Sequence, residues 1–174
     1  MKERRDNRRA LNLGERFRTN NSGELQIIGW LDDAYYQVRF FATGYVTKAK
    51  IDKIKAGKVK DKLLPRVYGK GYIGNGEYSS KNENILYRRW KHMLARCYSK
   101  LYPDYSDCEV CERWLNFQNF VIDAKYLPNY TPDLSGLDLD KDGVITIYKN
   151  RLYSPSTCQF ITRADNFNIA LGRK

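Results

Sequence analysis

Residues 137–170 combine acidic and amide side chains with a strand–loop–strand–helix pattern. Asp140 ends the first predicted element, Asn150 lies in the following loop, and Asn166 lies in a helix predicted to open at Thr162. Carboxylate and amide oxygens are ligands that hard cations such as Mg²⁺ prefer. The stretch therefore predicts either a metal site or a small folded unit without chemistry.

Three acids alternate at the start of this stretch: Asp138, Asp140 and Asp142. On a strand, alternation places all three on one face. That face is either a Mg²⁺-binding edge or the solvent side of an edge strand. A calcium loop does not match, because Lys149 stands where such a loop has its closing Glu.

Cysteine spacing suggests a second site. The pair Cys108 and Cys111 has the C-x-x-C spacing of zinc ligands, and two more cysteines would complete a tetrahedral thiolate site. The four candidate ligands are Cys97, Cys108, Cys111 and Cys158. Alternatively, they are small hydrophobic residues of a cytosolic protein, where a disulfide is not expected. The place of Cys97 on a predicted apolar helix face favours this alternative.

His92 is the only histidine of the chain. Any hydrolytic mechanism with a histidine base must use it or do without. Its position on a predicted basic helix favours an ordinary surface or half-buried residue, and there is no case for a Ser/His/Asp site.

Charge is the strongest global signal, with a formal net charge of +11 over 174 residues. Residues 46–70 carry nine Lys/Arg against two acids and residues 81–100 six against one, whereas residues 101–142 carry nine acids against three bases. Basic patches interleaved with Tyr and Trp favour a nucleic acid as the partner, either DNA or RNA, with a merely solvated surface as the alternative. Lysines also protect edge strands from aggregation. The predicted DNA contacts are Lys48, Lys50, Lys53, Lys55, Lys58, Lys60, Lys62, Arg88, Arg89, Lys91 and Arg96.

The elements that position these residues suggest an α+β fold. Residues 1–12 are predicted to be a basic arm. Residues 13–64 contain aromatic-rich runs between Gly and Asn turn signals, which predict a small β-barrel-like module or a curled sheet. The predicted strands are Leu25–Trp30, Tyr35–Phe41 and Tyr45–Ala49, followed by one helical turn at Ile51–Ile54.

Residues 65–83 are rich in glycine and are predicted to be a linker, since they lack the Gly-Lys-Ser/Thr of a phosphate-binding loop. Residues 84–174 form the predicted helical and ββα domain. Asn84–Tyr98 has an apolar stripe at helical spacing, with Asn84 as the predicted N-cap, and Glu112–Lys125 has a second stripe. The sequence thus predicts a two-helix middle before the C-terminal ββα unit.

Nothing in the sequence resembles a signal peptide, and no apolar run approaches the roughly 18 residues of a membrane helix. We therefore expect a soluble, cytoplasmic protein with no membrane partner. The length allows one ordinary domain or two small ones, with a real core.

Several segments carry a resemblance to a known family. They are VYGKGYIG at 67–74, YRRWKHMLARCY at 87–98, CEVCERWLNFQNF at 108–120, and LDKD at 139–142 with YSPSTCQF at 153–160. The chain resembles phage-encoded HNH or AP2-like proteins over roughly residues 14–168. The segment TCQFITRADNFNIA resembles the last strand and helix of HNH homing-type endonucleases. All four cysteines fall inside these segments, which favours structural zinc.

The resemblance implies a C-terminal ββα-metal unit of the HNH type. Asp140 matches the metal-binding Asp, Asn150 the loop Asn that orients the base, and Asn166 the helix ligand. Mg²⁺ is therefore expected on Asp140 and Asn166. Lys141 stands at the position of the general-base His, and a protonated lysine cannot take a proton from water unless its pKa is strongly lowered.

The resulting hypothesis is a DNA-binding protein of the host-cell cytoplasm, related to phage HNH homing-type endonucleases. Its Mg²⁺-dependent nicking is weakened or lost, and any remaining activity would use Asp140, Lys141, Asn150 and Asn166. The alternative is a phage interaction protein that binds and inhibits a host defence or transcription factor, because a fold does not by itself imply a function.

Overall fold

The structure, a computed structural model, describes residues 11–32, 34–142 and 151–170. The chain divides into two compact units, Met1–Leu64 and Pro65–Lys174. Helices and mainly antiparallel sheets occur together, which confirms the predicted α+β class. Within the described ranges, no helix is long and apolar enough to cross a membrane. Most of the predicted basic arm, up to position 10, lies outside the described residues.

The first unit contains a four-stranded antiparallel sheet in which each strand pairs with the next along the chain. Its elements are β1 (Arg16–Arg18), β2 (Glu24–Trp30), β3 (Tyr35–Phe40), β4 (Val46–Lys50) and the short helix α1 (Ile51–Lys55). β1 is additional to the predicted strands, because three residues are too few to show an alternating pattern. The described strands form an open sheet, with β1 and β4 at its edges, and not a closed barrel.

The alternation of buried and exposed residues along β3 shows which face of this sheet packs into the core and which face is exposed. Tyr36, Val38 and Phe40 are buried, while Gln37 and Arg39 are exposed, as the two-residue period of a strand requires. The buried side chains pack with those of the neighbouring strands and of α1 into one core. That core contains Leu11, Leu25, Ile27, Tyr36, Val38, Phe40, Tyr45, Ala49, Ile51 and Ile54.

The second unit is built around helix α2 (Asn84–Tyr98), which has the predicted bounds. Its N-cap is Glu83 and makes no side-chain capping hydrogen bond, so the assignment of Asn84 as the cap was wrong. Trp90 of α2 is fully buried, and its indole Nε1 donates a hydrogen bond to the carbonyl of Trp114 at 2.7 Å. This bond fixes α2 against the following helical segment.

The predicted helix over residues 112–125 is divided into α3 (Glu112–Leu115) and α4 (Phe117–Ala124). Asn116 lies between them in an extended conformation, and its Oδ1 accepts a hydrogen bond from the Gln118 N–H at 3.0 Å. Tyr72 inserts at the same place, donating to the Leu115 carbonyl and accepting from the Phe117 N–H. The helix is interrupted because another segment of chain takes up its backbone groups.

That inserting segment is the glycine-rich stretch 65–83, and its glycines allow close packing. A Cβ on Gly71 would stand 2.8 Å from Trp90 Cζ2, and one on Gly74 would stand 2.8 Å from Asn116 Cγ. Side chains at these positions would therefore collide with α2 and with the α3–α4 junction. The stretch that was predicted as a linker packs against the helices of the second unit.

Two small sheets complete the unit. β5 (Glu109–Val110) pairs in parallel with β7 (Leu152–Tyr153), and β6 (Leu137–Asp140) pairs antiparallel with β8 (Gln159–Thr162). Helix α5 (Arg163–Ala170) follows β8 directly. The buried residues of the second core are Leu86, Trp90, Met93, Leu94, Val110, Trp114, Phe117, Phe120, Val121, Ala124, Leu127, Leu134, Leu139, Tyr153, Cys158 and Phe160.

Candidate functional site

The acids of β6 are not on an open edge. Asp138 forms an ion pair with Arg89 of α2, whose Nη1 lies 2.8 Å from Asp138 Oδ1, and both side chains are largely buried. The Arg89 Nη2 also donates to the Leu137 carbonyl. Asp140 is buried, with 6% of its surface exposed, and its Oδ2 accepts the Asp142 N–H at 3.1 Å. The alternating carboxylates hold the strand in place.

Lys141, which the sequence resemblance places at the position of a general base, is buried. Its Nζ lies 2.8 Å and 2.7 Å from the two carboxylate oxygens of Asp142. It also lies 5.5 Å from the ring centroid of Tyr105 and 5.8 Å from that of Tyr153, within cation–π range. An ammonium in these surroundings donates protons in hydrogen bonds and does not accept one from water.

The structure describes only one of the two remaining residues that were predicted to be catalytic. Asn166 is half-exposed on α5, and Asn150 lies outside the described residues. In the β6–β8 register, Asp140 pairs with Gln159, whereas Thr162, the residue before α5, pairs with Leu137. This places the start of α5 roughly 10 Å along the strand from Asp140.

A metal-binding group does not assemble in the described part of the chain. Among those residues, no three His, Cys, Asp or Glu side chains are arranged to hold an ion. Within the described ranges, Asp140 is therefore not part of a group of carboxylates of the kind that binds magnesium. The predicted Mg²⁺ on Asp140 and Asn166 and the predicted Zn²⁺ on the cysteines both stay predictions.

The four cysteines are free thiols. Cys108 and Cys158 are buried, and Cys97 and Cys111 are half-buried. Burial raises the pKa of Cys97 to about 12, with Cys108 adding to the effect, and burial also raises the pKa of Cys158 to about 12. Without a bound metal, the surroundings of Cys97 and Cys158 favour the neutral thiol, which packs as a small apolar group.

The lysines predicted to contact DNA lie on the surface of the first unit. Six of them, Lys48, Lys50, Lys53, Lys55, Lys58 and Lys60, are exposed, and Lys62 is half-buried. Lys48 and Lys50 project from β4, with their Nζ atoms 5.9 Å and 5.4 Å from the ring centroid of Tyr35. A shared aromatic neighbour places both charges on one side of the sheet.

Strand register shows more bases on that side. Arg16 pairs with Gln26, Gln26 with Arg39, and Gln37 with Lys48, so these side chains share one face. We call this surface the outer sheet face: Arg16, Arg18, Glu24, Gln26, Tyr35, Gln37, Arg39, Lys48 and Lys50. It carries five bases and one acid. The arginines were missed from sequence, although the alternation along β3 would have revealed Arg39.

The predicted bases of α2 separate into two groups. Arg88 and Lys91 are exposed. Arg89 is held by Asp138, and Arg96 is half-buried, hydrogen-bonded to the Tyr153 side chain, with its Cζ 5.5 Å from the Tyr105 ring centroid. Arg89 and Arg96 therefore connect α2 to the C-terminal strands, while Arg88 and Lys91 are open to a partner.

Comparisons with protein-family models, with curated proteins and with solved structures find no match to this chain.

Proposed function

We propose that the protein binds double-stranded DNA through the outer sheet face of its first unit. The observation that carries this proposal is the gathering of five arginine and lysine side chains on one face against a single glutamate. Each base that neutralises a phosphate releases a counterion, and this release dominates DNA affinity. A polyanion is attracted to such a surface, whereas a basic partner would be repelled by it.

The dimensions of the face suit a duplex. Neighbouring strands lie about 4.8 Å apart, so the row from Arg16 across Gln26 and Arg39 to β4 spans about 14 Å. This width exceeds the roughly 12 Å of the DNA major groove, which admits a two-stranded β-ribbon, so two neighbouring strands can enter the groove while the others meet the phosphate backbone. Arginine and glutamine side chains, here Arg39 and Gln37, are the usual donors to base edges, and the lysines at β4 suit phosphates.

For the second unit, we propose an HNH-type frame whose nicking activity is weak or absent. Two features support the relationship: β6 and β8 are antiparallel, and α5 follows them directly. Lys141 supports the loss of activity, because its ammonium is bound by Asp142 at the position of the base. We derive no metal-dependent step, since the described residues assemble no ligand group.

Fluorescence anisotropy with a labelled 20-base-pair duplex tests the DNA proposal. In the full chain, Arg39→Gln, Lys48→Gln and Lys50→Gln combined should weaken binding at about 0.1 M salt by at least about 30-fold, because three cationic contacts to the duplex are removed. The matched control removes three exposed charges elsewhere: Lys70→Gln, Lys81→Gln and Lys100→Gln. Equal losses in the two variants would mean that only net charge matters, and that the outer sheet face is not the binding surface.

Plasmid incubation with Mg²⁺ or Mn²⁺ tests the second proposal. The natural chain should leave supercoiled plasmid largely intact, whereas Lys141→His, which supplies an imidazole base, should increase nicking. Adding Asp140→Ala to Lys141→His should remove that gain. Rapid nicking by the natural chain would show that the frame works with Lys141 in place.

A further inference from the structure

The second unit contains a cleft away from the predicted catalytic residues. It has a volume of about 500 Å³ and lies between α2, the loop 133–136 and the first residue of α5. We call it the α2 cleft; its polar lining is Arg88, Arg89, His92, Asp133, Ser135 and Arg163. Neither Asp140 nor Asn166 lines it. The volume lies in the range of ligand sites, about 300–1,000 Å³.

The charged side chains that line the α2 cleft differ in whether neighbouring groups already bind them. Asp133 Oδ1 accepts the Thr131 hydroxyl at 3.1 Å and the Ser135 N–H at 3.2 Å, so the one acid of the lining is occupied by its own turn. Arg89 is neutralised by Asp138. Arg88 and Arg163 are exposed, and neither pairs with a carboxylate in the part of the chain that the structure describes. The described lining thus carries Arg88 and Arg163 against the single carboxylate of Asp133, which leaves a net positive charge.

The walls of the α2 cleft are held together by bonds on both sides. Arg89 ties α2 to β6 through Asp138 and the Leu137 carbonyl. On the other side, the Arg163 N–H donates to the Gly136 carbonyl at 3.3 Å, joining α5 to the loop. Leu134, in the middle of the loop, is only 2% exposed and anchors it in the core. A cleft held in this way needs little reorganisation to bind.

We propose that the α2 cleft binds a phosphate group of the nucleic-acid backbone. Arg88 and Arg163 supply planar guanidinium groups, which match phosphate oxygens with two parallel hydrogen bonds each. His92 and the Ser135 hydroxyl supply further donors at the same opening. This inference rests on the proposed DNA binding and adds a second contact region, on the second unit, that includes two residues outside the predicted DNA set, His92 and Arg163.

His92 makes the proposal testable without ambiguity, because a chain with one histidine gives one set of imidazole signals in NMR spectra. In untagged full-length protein, adding a 12-base-pair duplex should shift these signals until saturation. The double variant Arg88→Gln/Arg163→Gln should show little shift and should bind the duplex about tenfold or more weakly, with a salt slope smaller by about 2. The control is the double variant Lys81→Gln/Lys100→Gln, which removes two exposed bases of the second unit that neither line the cleft nor belong to the predicted DNA contacts.

The possible results of these experiments distinguish the proposed DNA binding from the proposed phosphate site in the α2 cleft. No duplex binding by the natural chain would refute the DNA function itself. Binding that leaves the His92 signals unchanged, or that Lys81→Gln/Lys100→Gln weakens as much as the cleft variant does, would overturn the cleft alone. Inorganic phosphate distinguishes the source of the anion: it should shift His92 only at millimolar concentrations, and saturation by phosphate with no response to duplex would also overturn the inference.

Discussion

At the residue scale, Lys141 is a buried charge that its neighbours hold in place. The family resemblance places a base there, but the side chain is buried, bound to Asp142 and flanked by Tyr105 and Tyr153. Sequence reasoning identified the departure from histidine. It could not show the consequence, because Tyr105 is 36 positions away along the chain and only folding brings it beside Lys141.

Removing this ammonium should destabilise the second unit. Lys141→Met keeps most of the side-chain volume but leaves the partly buried carboxylate of Asp142 without its partner. We expect a loss of about 1–3 kcal/mol in the free energy of unfolding, because an uncompensated charge is left behind. Urea denaturation measures this, with the exposed Lys81→Met as control. Equal midpoints for the two variants would show that the ion pair contributes nothing.

At the element scale, the glycine-rich stretch and the α3–α4 junction depend on each other. The sequence predicted α2 to the residue, because an apolar stripe over four turns is a strong signal. It did not predict the break at Asn116, since the cause is Tyr72, a residue from a distant segment. The same apolar stripe continues through the break, so periodicity alone indicates one helix.

Gly74 and Gly69 test this dependence as a matched pair. Both have positive φ, +78° and +71°, but a Cβ meets Asn116 at Gly74 and nothing within 4 Å at Gly69. Gly69→Ala should cost about 1 kcal/mol from backbone strain alone. Gly74→Ala should cost about 1–3 kcal/mol more, because the added carbon forces the junction apart. Equal thermal unfolding midpoints for Gly69→Ala and Gly74→Ala would contradict the close packing of Gly74 against Asn116.

An aspartate of the α3–α4 pair also predicts that the stability of the protein depends on pH. Hydrogen bonds from Arg113 and Trp114 lower the pKa of Asp123, against the opposing effect of its burial. A lowered folded-state pKa gives stability above the ordinary value near 3.8, which is lost as the pH falls through the folded-state pKa. Asp123→Asn should therefore be less stable than the natural chain by about 1 kcal/mol at pH 6. Urea titrations should show this difference shrinking below pH 4; a constant difference would contradict the assignment.

At the scale of the whole molecule, each unit has a core of its own. One core lies within Met1–Leu64 and the other within Pro65–Lys174. Composition and turn signals were sufficient to predict an α+β chain with a β-rich first part. They could not predict which bases share a face, since that depends on strand register, nor the α2 cleft, which brings Arg88 and Arg163 together from positions 75 residues apart.

Because each unit has a core of its own, we expect each unit to fold without the other. A fragment of residues 65–174 should unfold cooperatively in urea and keep the near-ultraviolet circular dichroism of its buried Trp90 and Trp114. A fragment of residues 1–64 should give dispersed NMR signals but lower stability, because small domains bury less of their surface. Loss of cooperative unfolding in the larger fragment would show that the cores are not independent.

DNA binding by exposed bases of both units requires the duplex affinity of the full-length chain to depend on salt. Contacts from Arg39, Lys48, Lys50, Arg88 and Arg163 predict that log K falls linearly with log salt, with a slope of roughly −4.5. An affinity that is independent of salt, or no binding of duplex DNA by the natural chain at 50 mM salt, would contradict this function.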